Sequence, residues 1–272
     1  KVIYGQAFYA SSVLMAWPWL AIVPLVMAAY YGLYICQFRP EWLHGRETII
    51  AWLSAVAILI IGFLFSNNWT LMLAPGVWKD LYAQGPSGMG LNVADRTLIP
   101  RYLHLIVGAF GVGGLGVMLL ARMVRGGDGE LSETMERSGR RWFLAATGLQ
   151  ILIGFWFLFA LPVRVYRSFI GGNMVDSGAL FAGIILAFVA MAVVRRLPVA
   201  AAVLTGIVVF LMVAVRHRVR QLTLAPDLQV NSLAVNPQWA LLATFVVVLL
   251  AGLVTVAWMV MTFTRPGKAN AA

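Results

Sequence analysis

Apolar stretches long enough to cross a lipid bilayer recur from one end of this 272-residue chain to the other. Hydrocarbon offers peptide groups no hydrogen-bond partner, so only α-helices or closed β-barrels can span it. The runs are continuous rather than alternating, which selects helices. The expected fold class is all-α: a polytopic bundle of about seven transmembrane helices in a single domain over 1–272. The spans are placed at about 8–36, 48–67, 102–121, 141–161, 175–194, 198–215 and 239–263. Composition agrees, at 61% hydrophobic and 11% charged residues, where a soluble domain carries roughly a quarter charged.

The first run has no signal-peptide cleavage pattern and reads as a retained helix. The "RRLP" link between the fifth and sixth spans predicts a tight hairpin, with Pro198 in the first turn of a helix. The 68–101 segment is long and rich in Gly, Pro, Trp and Tyr, so it is expected to form an ordered cap.

A net charge of +10 invites a nucleic-acid reading. The basic residues lie in short loops beside apolar spans, where they orient helices and meet headgroups, so that reading is rejected. Eleven of the twenty Lys and Arg fall on the side holding loops 37–47, 122–140 and 195–197 and the C-terminal "RPGK". That side is assigned to the cytoplasm, with the N-terminus outside, in a bacterial cytoplasmic membrane. The lone Cys36 excludes an internal disulfide and is read as a packing residue.

An ionisable side chain inside a span is a functional candidate by default, and His104 in "IPRYLHLIVGAFGVGGLGVMLLARM" is such a residue. Its options are metal ligand, proton carrier or haem ligand. Gly108 and Gly111 share its helix face, which leaves room for a flat ring beside an axial imidazole. The competing reading gives the glycines to close helix packing and the histidine to a polar contact. His217, in "RHRVRQ", is a second possible ligand. It reads more readily as part of a basic cluster at the interface, whose arginines offer the alternative of neutralising haem propionates. His44 reads as solvated. Met174, which starts the fifth span, is either a sixth haem ligand or a packing residue. Asp176 is either a proton carrier or a helix cap. Three scattered histidines and one cysteine make no zinc- or copper-type set, and no nucleophile, P-loop or Rossmann motif is present. The near absence of charge in the span interiors counts against an ion pump or proton-coupled transporter.

"FLFSNNWTLMLAPGVW" (63–78) followed by "IPRYLHLIVGAFGVGGLGVMLLARM" (99–123) resembles the large subunit of cytochrome bd quinol oxidases. In that family an Asn-Trp…Pro element ends one helix. After a loop, the next helix opens with the histidine that ligates the low-spin haem b. "ERSGRRWFLAATGLQILIGFW" (136–156) is similar to the family's following helix, and the likeness covers about 48–195. The resemblance implies that His104 is the haem ligand. It also implies that Met174, in "NMVDSGALFAG", is the second ligand, ranked above His217. Here Asn173 precedes the methionine and no arginine stands close before it.

Other departures are larger. The first span lacks the family's histidine for the oxygen-reducing centre, and the second and third spans carry no glutamate for it. The quinol loop shrinks to "PVRVYRSFIGG" (162–172). What the resemblance then implies is a membrane subunit with one low-spin haem b and no oxygen-reducing site. It would exchange electrons between the quinone pool and an outer partner, a c-type cytochrome or an iron–sulfur protein. The 68–101 cap and the basic 216–220 segment would be its docking surface. The alternative is a haem-free anchor in a multi-subunit complex.

Overall fold

Each long apolar run forms a helix in the computed structural model, which describes residues 4–84, 87–124, 129–225, 227–229 and 238–264. The helices are α1 (Gly5–Leu14), α2 (Ala16–Phe38), α3 (Glu47–Met72), α4 (Trp78–Gln84), α5 (Leu98–Val124), α6 (Gly129–Ala160), α7 (Val163–Arg167), α8 (Met174–Val193), α9 (Pro198–Leu224) and α10 (Trp239–Thr264). Seven of them are long and apolar enough to cross a membrane: α2, α3, α5, α6, α8, α9 and α10. No strand occurs among the described residues. The chain is an all-α polytopic membrane protein. Arg125, Arg265 and Lys268, which entered the charge bias, lie outside the described residues, as does most of the stretch between α9 and α10.

Spanning helices pair in chain order, α2 with α3, α5 with α6 and α8 with α9. Lipid tails are as apolar as leucine, so helix pairs are held by close packing of small residues rather than by expulsion of water. The α5–α6 pair is the most extensive. At its crossing Gly114 faces Gly139: a Cβ built on Gly114 would lie 2.7 Å from the Gly139 carbonyl oxygen and 2.8 Å from the Phe143 nitrogen. A Cβ on Gly139 would lie 2.5 Å from the Gly114 oxygen. Leu115, Met118 and Phe143 then join Ala190 of α8, Val194 at its C-cap and Ala201 of α9 in one buried cluster. By contrast, none of the apolar window of α10 is buried within the chain.

The first span differs from the expected single helix over 8–36. It breaks at Met15 (φ −111°, ψ 37°), and only α2 has spanning length. The cause lies at Pro18, which has no N–H to give the Leu14 carbonyl. That oxygen accepts instead from Gly90 N (2.9 Å), and Trp17 N donates to Gly88 O (3.1 Å). Only a glycine fits there without strain at Gly88 (φ +72°), and a Cβ on Gly90 would sit 3.0 Å from the Leu14 oxygen. The 68–101 segment is thus fastened to the break in the first span.

Buried amides complete the fastening. Asn67 Nδ2 donates to Met15 Sδ (3.6 Å), its Oδ1 accepts from Asn92 N (2.9 Å), and Asn68 Nδ2 donates to Ser12 Oγ (3.0 Å). These asparagines explain why α3 runs past the predicted end at 67 to Met72: its last turns are buried against α1 rather than released into a loop. At the other end, α6 starts well before the predicted 141. Its first turns carry the ion pairs Arg137–Glu133 and Arg122–Glu136, which suit a helix emerging into water.

The crossing gives a direct test. Gly114→Ala or Gly139→Ala should each destabilise the protein by about 1–3 kcal/mol or more through overpacking of backbone on backbone. Gly113→Ala, where a Cβ meets nothing within 4 Å, should be neutral or slightly stabilising. Thermal midpoints of the three variants in detergent would measure this.

Candidate functional site

His104 lies in the second turn of α5, on the end of the bundle that carries the 68–101 segment. Asp95 organises the entry to this helix, accepting from Thr97 N (2.7 Å) and Thr97 Oγ1 (2.6 Å). Pro100 occupies the first turn, where its missing N–H costs nothing. The half-buried imidazole packs toward α6. It lies beside Gly154, 3.4 Å from where a Cβ on that residue would be, and stacks on Phe157 with centroids 6.4 Å apart and planes at 26°. The absent side chain that admits the ring is therefore on the neighbouring helix. Gln150 Nε2 donates to the His104 carbonyl (2.8 Å), which the helix leaves available for a second bond. His104 Nδ1 and Gln150 Oε1 are both buried without a hydrogen-bond partner. Buried polar atoms are rarely left so, and each marks a place where a ligand or ordered group would be favourable.

The room expected beside Gly108 and Gly111 is occupied by α6. A Cβ on Gly108 would meet Gln150 Nε2 at 3.1 Å, and one on Gly111 would meet Ala146 and Thr147 at 3.6 Å. Along this face the glycines serve helix packing, the second of the two readings weighed from the sequence.

The other named residues sit apart from His104. His217 is exposed on α9, and its Nδ1 lies 3.4 Å from Tyr4 OH, with the two rings edge to face. Met174 opens α8 and is 90% exposed. Asn173, at the place where the resemblance departs, is the N-cap of α8: its Oδ1 accepts from Val175 N and Asp176 N, both at 3.0 Å. Asp176 is not that cap. It is buried, accepts from Ser168 Oγ (2.5 Å), and pairs with Arg218 Nε of α9 (3.0 Å). His44 is exposed in a left-handed turn, with Nδ1 3.0 Å from Trp42 O.

Arg218 is therefore neutralised within the fold, unlike its neighbours. Arg216 lies over Trp69 (4.2 Å), Arg220 over Tyr4 (5.7 Å), and Arg101 over Phe157 (4.9 Å). Sequence reasoning singled out neither Arg101 nor Gln150, Gly154 and Phe157 on α6. The available signal was a lone glutamine inside an apolar run, which is costly in a membrane.

A bound haem would need an imidazole nitrogen inside the bundle; His104 supplies an imidazole there, its unsatisfied Nδ1 facing Gly154 of α6. Met174 and His217 are not brought against it, so the fit is through one residue. No protein-family model, curated protein or solved structure matches this chain.

The α8–α9 ion pair carries its own prediction. Arg218→Met should cost roughly 1–3 kcal/mol or more, because it strands a buried carboxylate. Adding Asp176→Asn should restore most of the loss. A double-mutant cycle of thermal midpoints would detect the coupling, and additive effects would exclude it.

Proposed function

We propose that this chain is a haem b-binding subunit of a membrane electron-transfer complex. Its role would be to exchange electrons between the quinone pool and a c-type cytochrome or iron–sulfur protein at the end bearing the 68–101 segment. The bacterial cytoplasmic membrane, with the N-terminus outside, is the setting this reading assigns. The observation that carries it is the imidazole of His104 inside a span, with a buried nitrogen that no protein group satisfies.

The haem, when bound, supplies one-electron redox chemistry. His104 would hold it, and the residues around the imidazole fix its position. Phe157 and Gly154 confine the plane of the ring, while Gln150 ties the His104 carbonyl to α6. Such outer contacts orient a ligating imidazole and tune its basicity. Met174, the partner implied by the resemblance to the bd oxidases, stands free of packing at the head of α8.

A second reading has specific support. Gly108, Gly111 and Gly114 are closed against α6, and α10 is apolar and unburied. Both suit a haem-free anchor that docks another subunit along α10.

A reduced-minus-oxidised spectrum with haem quantitation separates the two. The proposal predicts a b-type signal near one haem per chain. The signal should be lost in His104→Ala. Absence of haem from properly assembled wild-type protein would contradict the proposal and leave the anchor.

A further inference from the structure

Arg101, Arg216 and Arg220 come together at the end of the bundle that carries the 68–101 segment, each within electrostatic reach of at least one other. Arg216 and Arg220 are one turn apart and share a face of α9. Arg101 reaches them from the first turn of α5. The Nε atoms of Arg101 and Arg220 are buried and make no hydrogen bond. Asp95 is the one carboxylate acting on any of the three among the described residues, and it acts on Arg101. Tyr4 supplies no negative charge: burial pushes its phenol above the usual value, and the opposing pull of Arg220 is the smaller effect.

Like charges on one helix face repel, and desolvated cations need an anion. Elsewhere this fold meets that need from within, as Arg218 does with Asp176 and Arg122 with Glu136. Here it does not. The three guanidiniums instead rest on Phe157, Trp69 and Tyr4, which hold them in place without neutralising them.

We propose that Arg101, Arg216 and Arg220 form a binding site for the phosphate of an anionic phospholipid headgroup. Guanidinium forks match phosphate oxygens bidentately. The site lies at the ends of two spanning helices, the level at which headgroups sit. Exposed apolar side chains flank it, with Val213 one turn before Arg216 and Leu105 one turn after Arg101, beside which acyl chains would lie. A headgroup that brings its own ammonium would lose the advantage, so the site selects net-negative lipids. This inference does not rest on the haem reading.

The test is native mass spectrometry of the full chain from nanodiscs of phosphatidylcholine mixed with phosphatidylglycerol or cardiolipin. Wild-type protein should retain the anionic lipid over phosphatidylcholine by roughly tenfold or more. The variant with Arg101→Gln, Arg216→Gln and Arg220→Gln should lose that preference. Arg195→Gln with Arg196→Gln, at the opposite end, should keep it. If the triple variant does not fold, Arg216→Lys serves, since it keeps the charge but not the fork and should weaken retention. Undiminished retention in the arginine variants would overturn the proposal. So would displacement of the lipid by millimolar inorganic phosphate, which would identify a soluble anion. Loss of haem from the triple variant with lipid binding unchanged would also overturn it, by assigning the arginines to a prosthetic group's carboxylates.

Discussion

The structure depends on the approach of two backbones at Gly114 and Gly139. With no side chain on either, α5 and α6 come close enough for each carbonyl to touch the opposite helix. Packing of this kind is the main source of helix association in lipid, where burial of apolar surface contributes nothing. Toward one end it builds the cluster of Leu115, Met118 and Phe143 with α8 and α9. Toward the other it sets Gly154 opposite His104 and brings Gln150 to the His104 carbonyl. The position of the imidazole is thus a consequence of the helix crossing.

The chemistry-bearing groups gather at one end of the bundle. Asn67 and Asn68 bind the last turns of α3 to α1, to Met15 and to the 68–101 segment. That network closes the end over which Tyr4, Trp69 and the arginines are arranged. Arg218 and Asp176 hold α9 to α8 there, which leaves Arg216 and Arg220 facing Trp69 and Tyr4. Two kinds of unmet need result. One is a buried imidazole nitrogen in the bundle, and the other is a group of three cations at its surface with a single carboxylate, Asp95, acting on one of them. The first suits a haem and the second suits a phosphate, and neither requires the other.

Seven spans and the Pro198 start of α9 were legible in the sequence because each rests on local patterns: apolar length and a proline's fixed φ. The break at Met15 was not, although Pro18 signals it. A proline removes one donor, but whether the helix yields depends on a distant group such as Gly90 taking over the freed carbonyl. The glycines after His104 could be read two ways from sequence, because a bare helix face admits a ring or another helix equally well. Asn173 was legible in principle as an N-cap, three residues before Asp176, yet the resemblance drew attention to Met174 instead. The acidic partner of Arg218 could not be read at all, since the pair spans 42 residues.

The central claim is that His104 is an iron ligand and not a packing residue. The direct measurement is chemical rescue. In His104→Gly, haem content and the b-type absorption bands are followed with and without added imidazole. The account predicts loss of the signal in the variant and its return with imidazole, because the cavity left beside Gly154 and Phe157 admits a free ring. Wild-type protein without haem, or a variant whose spectrum is unaltered before imidazole is added, would contradict it.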